Sequence, residues 1–201
     1  MPWKPDQYVE ITGEDGLAAF CRKPADDPFL PALGTAAARA VDDYCNRQFG
    51  QLAAPATFTY EGHNAVRLRD DTWVLPVDDV QDITAATVTV DGTVIAAGVD
   101  GYRWWETDAI AKGYPHTAVR FAEQPCGDVE VFATFGWLAV PAAVVGAVRF
   151  QTNRWCIRQE SPYGVAGSPD AGTEVRLSAR LDPDTRTILA GGRVVRAKRP
   201  R

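Results

Sequence analysis

The sequence is poor in the residues on which most enzyme chemistry is built. Of its 201 residues only two are histidines, His63 and His116, and one is methionine. Two histidines in turn-rich sequence are too few for a multi-histidine metal centre or a histidine-driven hydrolase, and they read as surface residues. No G-x-S-x-G elbow, Walker-type phosphate loop, G-x-G-x-x-G turn or H-E-x-x-H pair occurs. The four cysteines, Cys21, Cys45, Cys126 and Cys156, include no C-x-x-C and no close histidine partner. They read as reduced, mostly buried thiols rather than as zinc ligands or disulfides. No apolar run approaches the roughly eighteen residues that a membrane span needs. The opening MPWKPDQYVEITGEDG has no apolar signal-like stretch, so the expectation is a protein made and used in a cytoplasm. No internal repeat is visible.

Charge is present but unevenly spread. From Arg176 to Arg201 there are eight basic residues against Asp182 and Asp184, a local balance of +6 in a chain of net −5. The body up to residue 175 therefore carries −11, which repels nucleic acid rather than gripping it. The basic tail, with Val194, Val195 and Ala197 interleaved, could be a solvated end, touch nucleic acid, or dock on an acidic partner. Adjacent aspartates recur at Asp26/Asp27, Asp42/Asp43, Asp70/Asp71 and Asp78/Asp79. Carboxylate pairs can perform glycoside hydrolysis, but these fall where turns and solvated helix faces are expected.

Hydrophobic periodicity divides the chain into five stretches. Residues 1–26 form a loosely packed arm with a strand-like run from Tyr8 to Thr12. Within 27–56, a helix over about 28–49 is capped by Asp26 or Asp27, admits Pro28 and Pro31 in its first turn, and ends at Gly50. Its stripe is Leu30, Leu33, Ala37, Val41, Tyr44 and Phe49; Gly34 is either simply tolerated or lets a backbone approach. Residues 57–138 switch to a period of two, as in TFTYEG, AVRLR, TWVLPV, TAATVTVDGTVIA, GYRWWE, TAVRFAE and DVEVFATFGW. Asp70-Asp71 and Asp91-Gly92 supply hairpin turns. Within 139–160, a second helix over about 141–158 starts at Pro141 and carries Val144, Val145, Val148, Thr152, Trp155 and Cys156 on one side. Residues 161–201 give a Gly/Pro/Ser-rich loop, a short helix capped by Asp182, and an extended basic tail. The fold class is α+β: two main helices bracket an antiparallel β-insert, folded on itself as a small sandwich or barrel.

Aromatic side chains suggest binding surfaces. Tyr102, Trp104, Trp105, Trp137 and Trp155 could line a sugar or peptide site, or anchor a core and an interface. Adjacent Trp104 and Trp105 should point to opposite strand faces, one buried and one exposed.

The order of motifs resembles the head-to-tail connector, or adaptor, family of long-tailed bacteriophages of actinobacteria. The shared elements begin with a first helix closing in Cys45-Asn46-Arg47-Gln48-Phe49. Leu75-Pro76-Val77 follows, with Val80, Ile83 and the strand Val88-Thr89-Val90. The junction Phe135-Gly136-Trp137 to Val140-Pro141 leads into a helix ending near Arg154-Trp155 and Arg158, then Ser161 to Gly164. This covers about residues 28–165, with an echo in Leu181-Asp182-Pro183-Asp184. The long β-insert departs from the shortest, nearly all-helical members.

The resemblance implies a structural virion protein without enzymatic activity or cofactor. Twelve copies would form a ring beneath the portal and extend the DNA channel to the stopper and tail. The ring would be assembled in the host cytoplasm, with the isolated chain monomeric or not. DNA would pass through without sequence-specific binding, and no membrane would be involved. Subunit contacts are expected from Arg39, Asp43 and Arg47 on the first helix and Arg149, Arg154 and Arg158 on the second. Portal contacts are expected from Arg193, Arg196, Lys198 and Arg199. The competing expectation is a carbohydrate- or peptide-binding β-domain of a tail accessory protein, using the Trp104/Trp105 region.

Overall fold

The computed structural model describes residues 8–160, 165–166, 175–176, 181–191 and 194–196. Within them the chain is α+β and divides into two compact units, one spanning 51–138 and the other the residues up to 50 together with those from 139 onward.

The first unit is one antiparallel sheet of seven strands. These are β1 (Ala56–Glu61), β2 (Val66–Arg67), β3 (Trp73–Val90), β4 (Thr93–Ile95), β5 (Tyr102–Trp104), β6 (His116–Phe121) and β7 (Asp128–Phe135). The order is β1-β7-β3-β6-β5, with β2 and β4 on the two ends of β3. The sheet is open, not the closed sandwich or barrel that the alternating segments suggested. Its last strand, β5, has three residues, all of them already paired with β6, which leaves too short a ladder to close the sheet onto β1.

The two runs read as separate strands, TWVLPV and TAATVTV, are one strand. β3 is continuous over 18 residues but slips register between Pro76 and Val80, between Val80 and Asp82, and between Asp82 and Thr87. These irregularities let one strand serve two partners, and Val80 lies opposite both His116 of β6 and Phe135 of β7. Asp91 (φ 46°) and Gly92 (φ 75°) form the left-handed turn expected of Asp-Gly and fold β4 back on β3. Along β7, Val129, Val131, Ala133 and Phe135 are buried while Asp128, Glu130 and Phe132 face out. Phe58 stacks on Phe135 at 4.1 Å, and Leu75, Val77, Val80, Val88, Val119 and Phe121 fill out this core. Each such side chain stabilises the unit by about 1.5–3 kcal/mol relative to exposure.

The second unit holds α1 (Leu17–Cys21), α2 (Leu30–Cys45), α3 (Ala142–Glu160) and α4 (Pro183–Gly191), with a short pair of strands, β8 (Val165–Ala166) and β9 (Val175–Arg176). α3 is the centre, packed by α1, α2 and α4. Tyr8 to Thr12, expected as a strand in a loose arm, is neither: Tyr8 and Val9 are buried, and the helix α1 follows. The Leu17 and Ala18 amides donate to the Glu10 and Ile11 carbonyls at 2.9 and 3.0 Å, folding the segment on itself so that no strand partner is needed.

α2 starts two residues later and ends four residues earlier than the periodicity suggested. The Asp27 carboxylate accepts the Phe29 amide at 2.9 Å just ahead of it. Asn46 stops it by adopting the left-handed conformation (φ 52°) and donating its amide to the Asp42 carbonyl. Asparagine tolerates that geometry, so Gly50 is not needed as the cap. Gly34 admits a side chain rather than a backbone: a Cβ there would lie 2.5 Å from Leu17 Cδ1. At α4 the expected cap is present, with the Asp184 amide donating to Asp182 Oδ1 at 2.9 Å.

Candidate functional site

Most of the charged side chains expected at subunit contacts are engaged within their own unit. Arg39 pairs with Asp42 at 3.3 Å on α2. Arg47 donates to the Val194 carbonyl at 3.4 Å, and Arg149 donates to the Asp15 carbonyl. Arg154 forms an ion pair with the buried Asp182. Asp43 is exposed on α2, and Arg158 is half-buried in the last turn of α3, where a cation suits the helix dipole. Arg47, Arg149 and Arg154 thus brace the end of α2 and α3 against neighbouring segments, while Arg39 is paired within α2.

Arg193, Lys198 and Arg199 lie outside the described residues. Arg196 lies within them, and its amide donates to the Cys45 carbonyl at 2.9 Å while Val194 is buried. Residues 194–196 are thus docked on the end of α2 rather than extended, because Val194 supplies apolar surface where the last turn of α2 has open acceptors.

That same turn receives Tyr8. Its hydroxyl donates to Asp42 Oδ1 at 2.8 Å and accepts the Phe49 and Gly50 amides at 2.7 and 3.3 Å. Asp42 is only 5% exposed. Burial pushes its pKa up to about 6, against the opposing hydrogen bond from Tyr8 and the charge of Arg39. Burial, with the Asp42 charge second, holds the Tyr8 hydroxyl protonated well above its ordinary range.

The remaining aspartate pairs of the sheet unit are also occupied structurally. Asp79 is buried and accepts the Trp137 indole N–H at 2.8 Å. Asp78 accepts the Tyr60 hydroxyl at 3.1 Å. Asp70 accepts Thr72 Oγ1 at 2.6 Å and pairs with Arg120; Asp71 pairs with Arg67 at 2.8 Å. His63 is exposed as expected, but His116 is not a surface residue. It opens β6 at 2% exposure, its Nδ1 3.3 Å from the Trp105 carbonyl, because its ring fills the space beside Trp104. Trp104 and Trp105 are both half-buried, since β5 ends at Trp104 and strand alternation no longer governs Trp105. Arg120 covers the Trp105 ring at 5.3 Å, so this pair is no open aromatic platform.

Among the described residues, no group of three or more His, Cys, Asp or Glu is placed to hold a metal ion. None of the described helices is long and apolar enough to cross a membrane. A hollow of about 70 Å³ lined by Val9, Ile11, Leu17, Pro31, Gly34, Thr35 and Val148 is far below the roughly 300 Å³ of ordinary ligand sites.

The exposed residues that the sequence does not single out by position are apolar. α3 exposes Phe150 (49%) and Ile157 (45%), seven residues apart and so on one face; Phe20 of α1 meets Phe150 edge-on at 5.4 Å. Gly146, one turn before Phe150, faces open space. Their signal in the sequence is the occurrence of apolar residues on more than one side of the second helix, which leaves spare surface to bury between subunits.

No protein-family model matches the chain, and no curated protein matches it. Solved structures do. A chain from the neck of an empty gene transfer agent particle, computed with C6 symmetry, matches with a TM-score of 0.52 at 18% identity, covering 100% of this chain and 97% of that one. A chain from the virion of a native gene transfer agent particle matches with a TM-score of 0.47 at 19% identity, covering 92% of each. The first likeness is one of fold, and it runs the length of both chains.

Proposed function

We propose that this chain is a structural protein of the neck of a phage-like particle, acting as a head-to-tail adaptor. Copies assemble as a ring below the portal, extend the DNA channel and join the head to the stopper and tail. The observation that carries the reading is the fold shared end to end with a chain from a gene transfer agent neck, helices and sheet together. The motif order from Cys45 to Phe49 through Pro141 to Arg158 supports the same reading independently.

The C6 symmetry used for that neck suits a ring of six or of twelve, and the adaptor resemblance favours twelve. The −11 balance over residues 1–175 fits a channel component that must not hold DNA. No catalytic step is assigned to the chain. Spare apolar surface on α3, at Phe150 and Ile157, is where a neighbouring copy would gain most from burial.

The test is electron microscopy of the purified protein mixed with portal complexes from the same particle. Ring density beneath the portal is expected. Portals that stay bare at saturating protein would overturn the adaptor role. Removal of residues 197–201 should weaken attachment while leaving the fold intact, and unchanged attachment would exclude the tail as the portal contact.

A further inference from the structure

The open sheet carries opposite charge at its two sides. Its strand order is β1-β7-β3-β6-β5, and on the β1–β7 side Glu61 lies directly opposite Asp128. On the β5–β6 side Arg103 lies directly opposite Arg120. Strand alternation puts these side chains away from the core, since Val129, Phe121 and Tyr102 next to them in sequence are buried. Like charges directly opposite one another destabilise a strand pair. Each pair is thus unfavourable within one copy, and each is complementary to the other.

One member of each pair is offset locally. Arg120 pairs with Asp70 and lies over the Trp105 ring at 5.3 Å. Glu61 accepts the Asn64 side-chain amide at 3.3 Å, with His63 Nε2 at the same distance. The other members are left over. The Arg103 guanidinium and the Asp128 carboxylate are exposed and have no side-chain partner among the described residues.

We infer that the β5–β6 side of this sheet docks on the β1–β7 side of a second copy of the chain, Arg103 of one copy pairing with Asp128 of the next. Charge complementarity selects this occupant. Residues 51–138 hold thirteen acidic and five basic residues, a balance of −8. Four of the five basic residues, Arg67, Arg69, Arg103 and Arg120, belong to β2, β5, β6 and the turn between β2 and β3. A unit that is negative elsewhere repels a polyanion such as DNA, but it offers carboxylates to the arginines of another copy.

The two patches differ, so the contact is heterologous. A copy that uses its Arg103 side still offers its Asp128 side, and the contact can repeat from copy to copy. Exposed ion pairs are screened by salt, so this one sets orientation and register more than tightness. Its service in orienting copies around a ring rests on the neck reading; the pairing of two sheets does not.

The experiment is a charge-exchange cycle on the full chain, read by sedimentation velocity at roughly 1 mM protein in about 20 mM and about 500 mM sodium chloride. The wild type should associate in the low salt and sediment as a monomer in the high salt. Arg103→Asp and Asp128→Arg should each weaken low-salt association by about tenfold or more, because each sets like charges against one another. Both changes in one chain should restore association to within about threefold of the wild type. Neither single variant should lower the melting temperature by more than a few degrees, since each removes one like-charge pair. A wild type that is monomeric in both salts, single variants that shift association in opposite directions with net charge, or a double variant that does not recover would each overturn the proposal. So would double-stranded DNA that binds the wild type and not Arg103→Asp. None of these outcomes involves a portal, so the neck reading stands or falls separately.

Discussion

Tyr8 and Asp42 share a hydrogen bond of 2.8 Å across 34 residues of sequence, and it joins the first described residue to the last turn of α2. The folded chain holds the Asp42 proton more tightly than the unfolded chain does. Asp42 therefore favours folding most below pH 3.8, and that advantage is gone above about pH 6. In Asp42→Asn the amide oxygen still accepts from Tyr8, but nothing titrates. Urea unfolding of both chains should show the stability of the wild type relative to the variant falling by roughly 2 kcal/mol from pH 4 to pH 7. A difference that does not change with pH would show that Asp42 is ordinarily solvated.

The sheet unit offers a sharper contrast at Asp79. Asp79→Ala leaves the buried Trp137 indole N–H without its 2.8 Å acceptor. The expected loss is about 2–3 kcal/mol in chemical denaturation, against about 1 kcal/mol or less for Asp79→Asn, which keeps an acceptor. Equal losses in the two variants would rule out the indole bond as the reason.

Arg154 and Asp182 hold α4 on α3. Arg154→Met strands a carboxylate that is 8% exposed and should destabilise the chain by about 3 kcal/mol. Asp182→Ala removes both the ion pair and the α4 cap. Hydrogen exchange should quicken across Pro183–Gly191 in both variants, and more in the second. The double variant should lose less than the sum of the two. Additive losses would mean that the pair contributes little.

On the neck reading, Ile157→Gln tests the exposed face of α3. Its side chain is 45% exposed, so the melting temperature of the isolated chain should change by no more than a few degrees. Ring formation on portal complexes should drop by tenfold or more, measured by counting decorated portals in micrographs. Wild-type decoration would place the subunit contact elsewhere.

Local chemistry was the legible part of this chain. Asp91-Gly92 specifies its turn through backbone freedom alone, Asp182 its cap through one acceptor, and the strands their faces through alternation. What stayed hidden depends on partners distant in sequence. Nothing near Tyr8 announces that its hydroxyl will meet Asp42, so the segment around it read as a strand in an arm. His116 is a polar residue in turn-rich sequence until Trp104 and Trp105 surround it. The continuity of β3 was masked because Pro76 and the Asp78-Asp79 pair resemble breaks, and only its successive pairings with β6 and β7 carry the strand through. The arginines of α3 read as available for neighbours, but the sequence does not reveal that Asp15 and Asp182 already engage two of them.

Both described extremities of the chain are tied to one short stretch. The Tyr8 hydroxyl holds the Phe49 and Gly50 amides, and the Arg196 amide holds the Cys45 carbonyl. A pull applied between the two ends is thus transmitted through residues 45–50, and the bonds there are loaded in series. Stretched in an optical trap by its ends, the protein should yield first at this joint, with α2 and the sheet still intact. A component strained from both ends would then lengthen a little before it breaks, as a shear pin does in a coupling.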